Sequence, residues 1–189
     1  TGDNIKKTEI DIELNIYDFE LPETPSFMSA FAIWPNFLNK AFNLKPNSPE
    51  AKAMYEKYYW FMVERRLMPG NIPVEITSHE ANKYLDDPRV NSFRIPNPWG
   101  RIDSPKLKII AEHLRKKGWM RKGYIYCDDE PTPNKYDFVR DLGLTTDKIG
   151  KDIPFLMTIE PHKSMYGAVD IWVPLLDKID WDVYEERIK

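Results

Sequence analysis

The sequence predicts an α/β fold in which parallel strands alternate with helices, and three observations lead there. Short apolar, β-branched segments alternate with amphipathic helical patterns along most of the chain. Ser-Pro and Thr-Pro pairs at Ser48, Ser104 and Thr132 mark helix starts. No Gly-rich phosphate loop follows the first strand pattern, so a nucleotide-binding doubly wound sheet lacks its usual signal. The architecture expected is therefore a TIM-type (β/α)8 barrel. Such barrels take about 250 residues. The chain has 189, so about six βα units fit, and the C-terminal part of the barrel is expected to be missing.

The elements follow in order. Residues 9–19 alternate, with Ile10, Ile12, Leu14 and Ile16 on one side and Glu9, Asp11, Glu13 and Asn15 on the other. That pattern is a half-buried strand. Leu21-Pro22-Glu23-Thr24-Pro25 then reads as a stiff connector. It divides the chain into 1–20, a linker strand, and 21–189, the barrel-like domain. Phe27 to Trp34 is a continuous apolar run, as in a strand covered on both faces. Ser48-Pro49 opens a helix carrying Ala51, Met54, Tyr55, Tyr58, Phe61 and Met62, reaching about Arg66. A short strand near Val74–Ile76, a short helix His79–Leu85 and a strand Val90–Ile95 come next. After Ser104-Pro105, Leu107, Ile110, Ala111 and Leu114 make an i, i+3, i+4, i+7 stripe that Gly118 ends. The last elements are a strand at 123–129, a helix from Thr132-Pro133 to about Leu142, and strands Ile153–Ile159 and Val169–Leu175.

Composition excludes several classes of function. The 27 basic and 30 acidic residues leave a net charge of −3, with no basic excess to attract nucleic acid or an anionic membrane. No apolar run approaches a membrane span. The single cysteine, Cys127, rules out an internal disulfide framework and reads as a small core residue. His79, His113 and His162 show no metal-ligand spacing, and a serine nucleophile elbow is absent. Neither a metal nor a cofactor is expected. The start Thr1-Gly2-Asp3 lacks an initiator methionine, so the chain reads as a processed or excised piece of a larger multidomain chain. The expected location is secreted, periplasmic or cell-surface, with the cytoplasm as the alternative.

The segment Gly123-Tyr-Ile-Tyr-Cys-Asp-Asp-Glu-Pro131 carries the chemistry. An apolar strand ends in three acids, and acids at the end of a buried strand are costly unless something uses them. In a parallel barrel that end is where active sites are built. Regular pleating puts Tyr124, Tyr126, Asp128 and Glu130 on one face and Ile125, Cys127 and Asp129 on the other. A bulge at the strand end can bring neighbours into one pocket, so pleating does not choose between Asp128 and Asp129 as the partner of Glu130. The plainer reading is that acids before a proline cap the next helix or solvate a loop. Other predicted strand ends also carry aromatic or polar groups: Trp34, Arg94 with Asn97, Glu160 with His162, and Trp172. Tyr126, Trp34, Trp172 and Asp128 are candidate substrate contacts from position alone.

Leu21-Pro22-Glu23-Thr24-Pro25-Ser26, Lys117-Gly118-Trp119, Tyr124-Ile125-Tyr126, Asp129-Glu130-Pro131 and Val169-Asp170-Ile171-Trp172-Val173-Pro174 occur in that order. Together they resemble the catalytic domain of glycoside hydrolase family 123 and its relatives, long known as DUF4091. The resemblance runs from about residue 10 to 176. It implies a (β/α)8 barrel preceded by a β-sandwich, with residues 9–19 as the last sandwich strand. It also implies retaining hydrolysis of β-N-acetylgalactosaminides, assisted by the substrate's own 2-acetamido group. The family's Asp-Glu pair falls on Asp129, which orients the acetamide, and Glu130, the acid/base. Asp128 is left as an extra acid. A glycan is the partner implied. Two alternatives stand beside this reading: a glycosidase of different sugar specificity, and a non-catalytic glycan-binding or structural fragment.

Overall fold

Three long helices each turn a buried face to the core, and local chemistry sets their limits. The computed structural model describes residues 9–182. Helix α1 (Pro35–Ala41) was not expected, although Pro35 occupies its first position as a helix-starting proline does. In α2 (Pro49–Val63) the Ser48 hydroxyl caps the first turn by accepting the N–H of Ala51 at 3.2 Å. Its buried face is Ala51, Tyr59 and Val63, so only Ala51 of the stripe read from the sequence is buried. A helix with aromatics on every side has no unique apolar face, and Tyr59 wins by stacking edge-on against Trp60 and Tyr84 at 5.2 and 5.1 Å. A 3-10 turn, His79–Ala81, runs into the short helix α3 (Asn82–Leu85).

Helix α4 (Ser104–Lys117) buries Leu107, Ile110, Ala111 and Leu114, the stripe expected. Its cap is Asp103 rather than Ser104, and Gly118 closes it in the left-handed region at φ 74°. Helix α5 (Tyr136–Ile149) follows the 3-10 turn Pro133–Lys135 and runs about two turns beyond the expected end. It buries Val139, Leu142, Gly143 and Thr146.

The strands are short. Strand β1 (Phe93–Arg94) pairs in parallel with β2 (Gly123–Tyr124), and β3 (Leu156–Met157) pairs in parallel with β4 (Ile171–Trp172). Single parallel bridges join Phe31 to Pro69 and Ile125 to Phe155. The predicted strand near Val74–Ile76 is a turn, and the extended contact lies earlier, where the Phe31 N–H donates to Met68 O at 3.0 Å.

These observations overturn the predicted (β/α)8 barrel, complete or incomplete: among the described residues there are four two-residue strands in two separate two-stranded sheets. Prolines are one physical reason. Pro96 and Pro98 follow β1, Pro154 precedes β3 and Pro174 follows β4, and each removes a ladder donor. The crossover from β3 to β4 holds only the 3-10 turn Lys163–Met165, too little to cover a sheet face as a barrel helix does.

The expected sandwich strand is also absent. Ile10, Ile12, Leu14 and Ile16 are 80, 87, 77 and 86 % exposed, and residues 9–20 pair with no strand among the described residues. An alternating segment has the side chains of a strand, but a strand exists only with a hydrogen-bonding partner. The predicted division at residue 20 also takes in residues 1–8 and 183–189, which lie outside the described residues.

The core sits between α2, α4 and α5 on one side and the extended segments on the other. Phe93, Ile95, Ile125, Cys127, Phe155 and Met157 pack against Tyr59, Leu107, Leu114 and Val139. No helix among the described residues is long and apolar enough to cross a membrane.

Candidate active site

The acid segment leaves the core at Cys127 and comes to the surface within three residues. Cys127 is fully buried, and burial pushes its thiol up to about 12, so it is a packing residue rather than a nucleophile. Asp128 is 4 % exposed. Its Oδ1 accepts the backbone N–H of Asp129 at 2.9 Å and lies 3.5 Å from Lys135 Nζ. This gives the extra acid a role: it turns the chain so that the next two acids face out. Because Lys135 is half-exposed, the ion pair contributes little; the backbone hydrogen bond matters more. Asp128→Ala should lower stability by about 0.5–1.5 kcal/mol, the net contribution of the lost hydrogen bond. Asp128→Asn keeps the acceptor and should recover most of that loss, as urea denaturation midpoints of the two variants would show.

Asp129 is exposed at its edge but tightly held. Tyr126 Oη donates to its Oδ1 at 2.5 Å and Thr158 Oγ1 donates to the same oxygen at 2.7 Å. Burial, and then the bond to Asp129, push the Tyr126 phenol well above its ordinary value, so it remains a donor. Both bonds use Oδ1, which leaves Oδ2 available to a ligand. Glu130 adopts φ 43°, a left-handed conformation that costs a non-glycine residue about 1–2 kcal/mol. Its N–H donates to Thr158 Oγ1 at 3.0 Å. Thr158 thus ties both acids to the segment after β3.

Asp129 opens into a cavity of about 270 Å³ lined by Trp34, Arg94, Trp99, Tyr124, Tyr126 and Thr158, among others. The Trp99 ring stands edge-on to Tyr126 at 5.4 Å, and the Arg94 guanidinium sits 5.7 Å over the Trp34 ring. Glu130 lines a neighbouring cleft of about 380 Å³ with Pro131, Tyr136, Glu160 and Lys178. Thr158 and Val173 line both spaces.

The predicted site residues therefore separate into groups. Trp34, Tyr126 and Asp129 share one cavity, and Glu130 lines the neighbouring cleft. Asp128 is buried behind them. Trp172 does not line this cavity; it packs against the core and stands edge-on to Tyr166 at 6.2 Å. It lines an adjoining apolar cleft of about 770 Å³ that shares Phe31, Tyr124, Leu156 and Val173 with the Asp129 cavity. His162 is exposed, lies tilted at 47° against Tyr136 with ring centres 4.6 Å apart, and bonds to Ser164. Asn97 braces the loop after β1, its amide donating to Pro98 O at 2.9 Å and accepting from the Asp103 N–H at 3.2 Å.

Two contributors were not read from the sequence. Thr158 lies at the end of a predicted strand, the same positional signal that drew attention to the acids. Trp99 lies in the Pro98-Trp99-Gly100 loop, where nothing in the pattern points inward. No group of three or more His, Cys, Asp or Glu side chains that could hold a metal ion occurs among the described residues. No protein-family model matches the chain, and no curated protein matches it in sequence.

Proposed function

We propose that this chain is a glycoside hydrolase acting on 2-acetamido sugars, with β-N-acetylgalactosaminides as the expected substrates. The observation that carries the reading is the Asp129 carboxylate, held by the Tyr126 and Thr158 hydroxyls at the mouth of an aromatic-lined cavity, with Glu130 next to it. The cavity lies just below the roughly 300–1,000 Å³ typical of drug-sized ligand pockets, a size suited to one sugar ring. Indole and phenol rings such as Trp34, Trp99 and Tyr126 offer flat apolar faces to the C–H faces of a pyranose.

The chemistry assigned to these groups needs no enzyme nucleophile, an exception to the two-carboxylate scheme. The acetamido carbonyl oxygen attacks the anomeric carbon as the glycosidic bond breaks, forming an oxazolinium ring. Asp129 Oδ2 accepts the acetamide N–H, orients it and stabilises the positive charge that develops. Glu130 gives its proton to the leaving oxygen, then takes one from the water that attacks the same carbon. The two displacements come from opposite faces, each inverting the anomeric carbon, so together they retain the configuration. The sugar occupies the Asp129 cavity and the leaving group the neighbouring cleft, with Glu130 between them. The left-handed backbone at Glu130 supports this assignment, because strained residues persist where the surroundings hold them for a purpose.

A panel of nitrophenyl glycosides tests the proposal. Turnover of the β-N-acetylgalactosaminide, with the 2-hydroxy galactoside at least about 100-fold slower, is the expected result. Equal rates on the two sugars would rule out acetamide assistance. A second reading, a module that holds glycan without cutting it, is favoured by the placement of Asp129 and Glu130 in adjoining spaces rather than one. Calorimetric binding of N-acetylgalactosamine with no turnover of any substrate in the panel would favour it.

A further inference from the structure

Arg94 ends β1 and projects toward the cavity that holds Asp129. Its Nε is buried and makes no hydrogen bond, and its guanidinium forms no ion pair with any described residue. The ionisable groups that feel its charge are Tyr55, Tyr124 and Cys127, each raised by burial to about 12 and therefore neutral near pH 7. Its guanidinium lies over the Trp34 ring, an electron-rich face that steadies a cation without neutralising it.

A half-buried guanidinium ordinarily takes a carboxylate partner, because its fork matches two oxygens and desolvation penalises it alone. Asp129, the acid that lines the same cavity, is held away from it: its Oδ1 is bonded to the Tyr126 and Thr158 hydroxyls. The cavity therefore carries one fixed negative group and one fixed positive group that do not satisfy each other. A neutral sugar would answer the first and leave the second unpaired.

We infer that the glycan taken by this cavity is anionic, and that Arg94 binds its oxyanion, a sulfate ester or a sugar carboxylate, while Asp129 holds the acetamide. The inference rests on the reading of the cavity as a 2-acetamido-sugar site and adds the charge of the substrate to it. The aromatic walls bind the ring, and Arg94 selects among rings by what they carry. A charge-assisted bond of this kind makes the anionic ligand about tenfold or more tighter than its neutral counterpart.

Calorimetry on the full chain reads this independently of turnover. The probes are N-acetylgalactosamine, its 4-sulfate, its 6-sulfate, and N-acetylgalactosaminuronate, which carries a carboxylate on the same ring and has no glycosidic bond to cleave. At least one anionic probe is expected to bind at least about tenfold more tightly than the neutral sugar, and which one does so separates sulfate from carboxylate. That preference should disappear in Arg94→Met and persist in part in Arg94→Lys, which keeps the charge without the fork. Equal affinities across the four probes in the unmodified chain, or no binding of any, would overturn the inference even if the variants failed to fold. Failure of the glycosidase reading shows elsewhere, as absence of turnover on the nitrophenyl panel while the anion preference stands.

Discussion

Replacing Glu130 by Gln is expected to lower kcat on a nitrophenyl β-N-acetylgalactosaminide by about 10²–10⁴-fold, the usual contribution of a positioned general acid–base. The amide has the shape of the acid but cannot deliver a proton to the leaving oxygen. The loss should shrink as the leaving group improves, because a dinitrophenolate departs without help. Added azide should then restore turnover by attacking the oxazolinium ring, giving a β-glycosyl azide whose retained configuration can be read by NMR. Asp129→Asn behaves differently: it keeps the hydrogen bonds but loses the charge facing the acetamide, so neither a better leaving group nor azide rescues it. Full activity in Glu130→Gln would remove Glu130 from the mechanism. Loss without rescue on the activated substrate would leave it as a structural residue, held by its bond to Thr158.

Gly143→Ala is expected to destabilise the fold, against the helix-propensity rule. Gly143 lies inside α5, where alanine normally gains about 1 kcal/mol over glycine. A Cβ built there would stand 2.0 Å from the carbonyl oxygen of Ala168 and 2.8 Å from its carbonyl carbon. Those are backbone atoms of the buried turn after Lys163–Met165, where the Ala168 N–H donates to Met165 O at 3.1 Å, so no flexible side chain can give way. Either α5 or the turn must shift, and overpacking of this kind costs about 1–3 kcal/mol. The urea midpoint should fall. A parallel Asp141→Ala variant on the exposed face of the same helix should change it by no more than about 0.5 kcal/mol. A rise in the Gly143→Ala midpoint would mean that the helix and turn do not pack as described.

Much of the local structure was legible because local chemistry controls it. The α4 stripe repeats at helical spacing and ends in a glycine that takes φ 74°, so pattern and stop signal agree. Ser48 caps α2 as read, since a serine before proline at a helix start has few other uses. The α2 face was misread for a related reason: a helix with aromatics all round has no pattern to read, and the choice of Tyr59 was made by Trp60 and Tyr84. Four predicted strand segments each hold one of the short strands β1–β4. Residues 9–19 pair with no described strand and Phe27 to Trp34 makes only the single bridge at Phe31, because pairing depends on a partner's backbone, which composition does not encode.

By itself, the sequence determined that an apolar segment ends in three acids before a proline, that basic and acidic residues nearly balance, and that the three histidines lack metal-ligand spacing. Tertiary structure alone decided what each acid does. Asp128 turned inward because the Asp129 N–H needed an acceptor. Asp129 became a clamped carboxylate because Tyr126, three residues earlier, and Thr158, 29 residues later, meet at one oxygen. Arg94 became an unpaired cation because no acid among the described residues reaches it. Those outcomes depend on contacts between distant segments, which no local pattern carries. For the same reason the predicted barrel gave way to four short strands: helix signals lie within a few residues of one another, whereas a sheet is assembled from segments far apart in the chain.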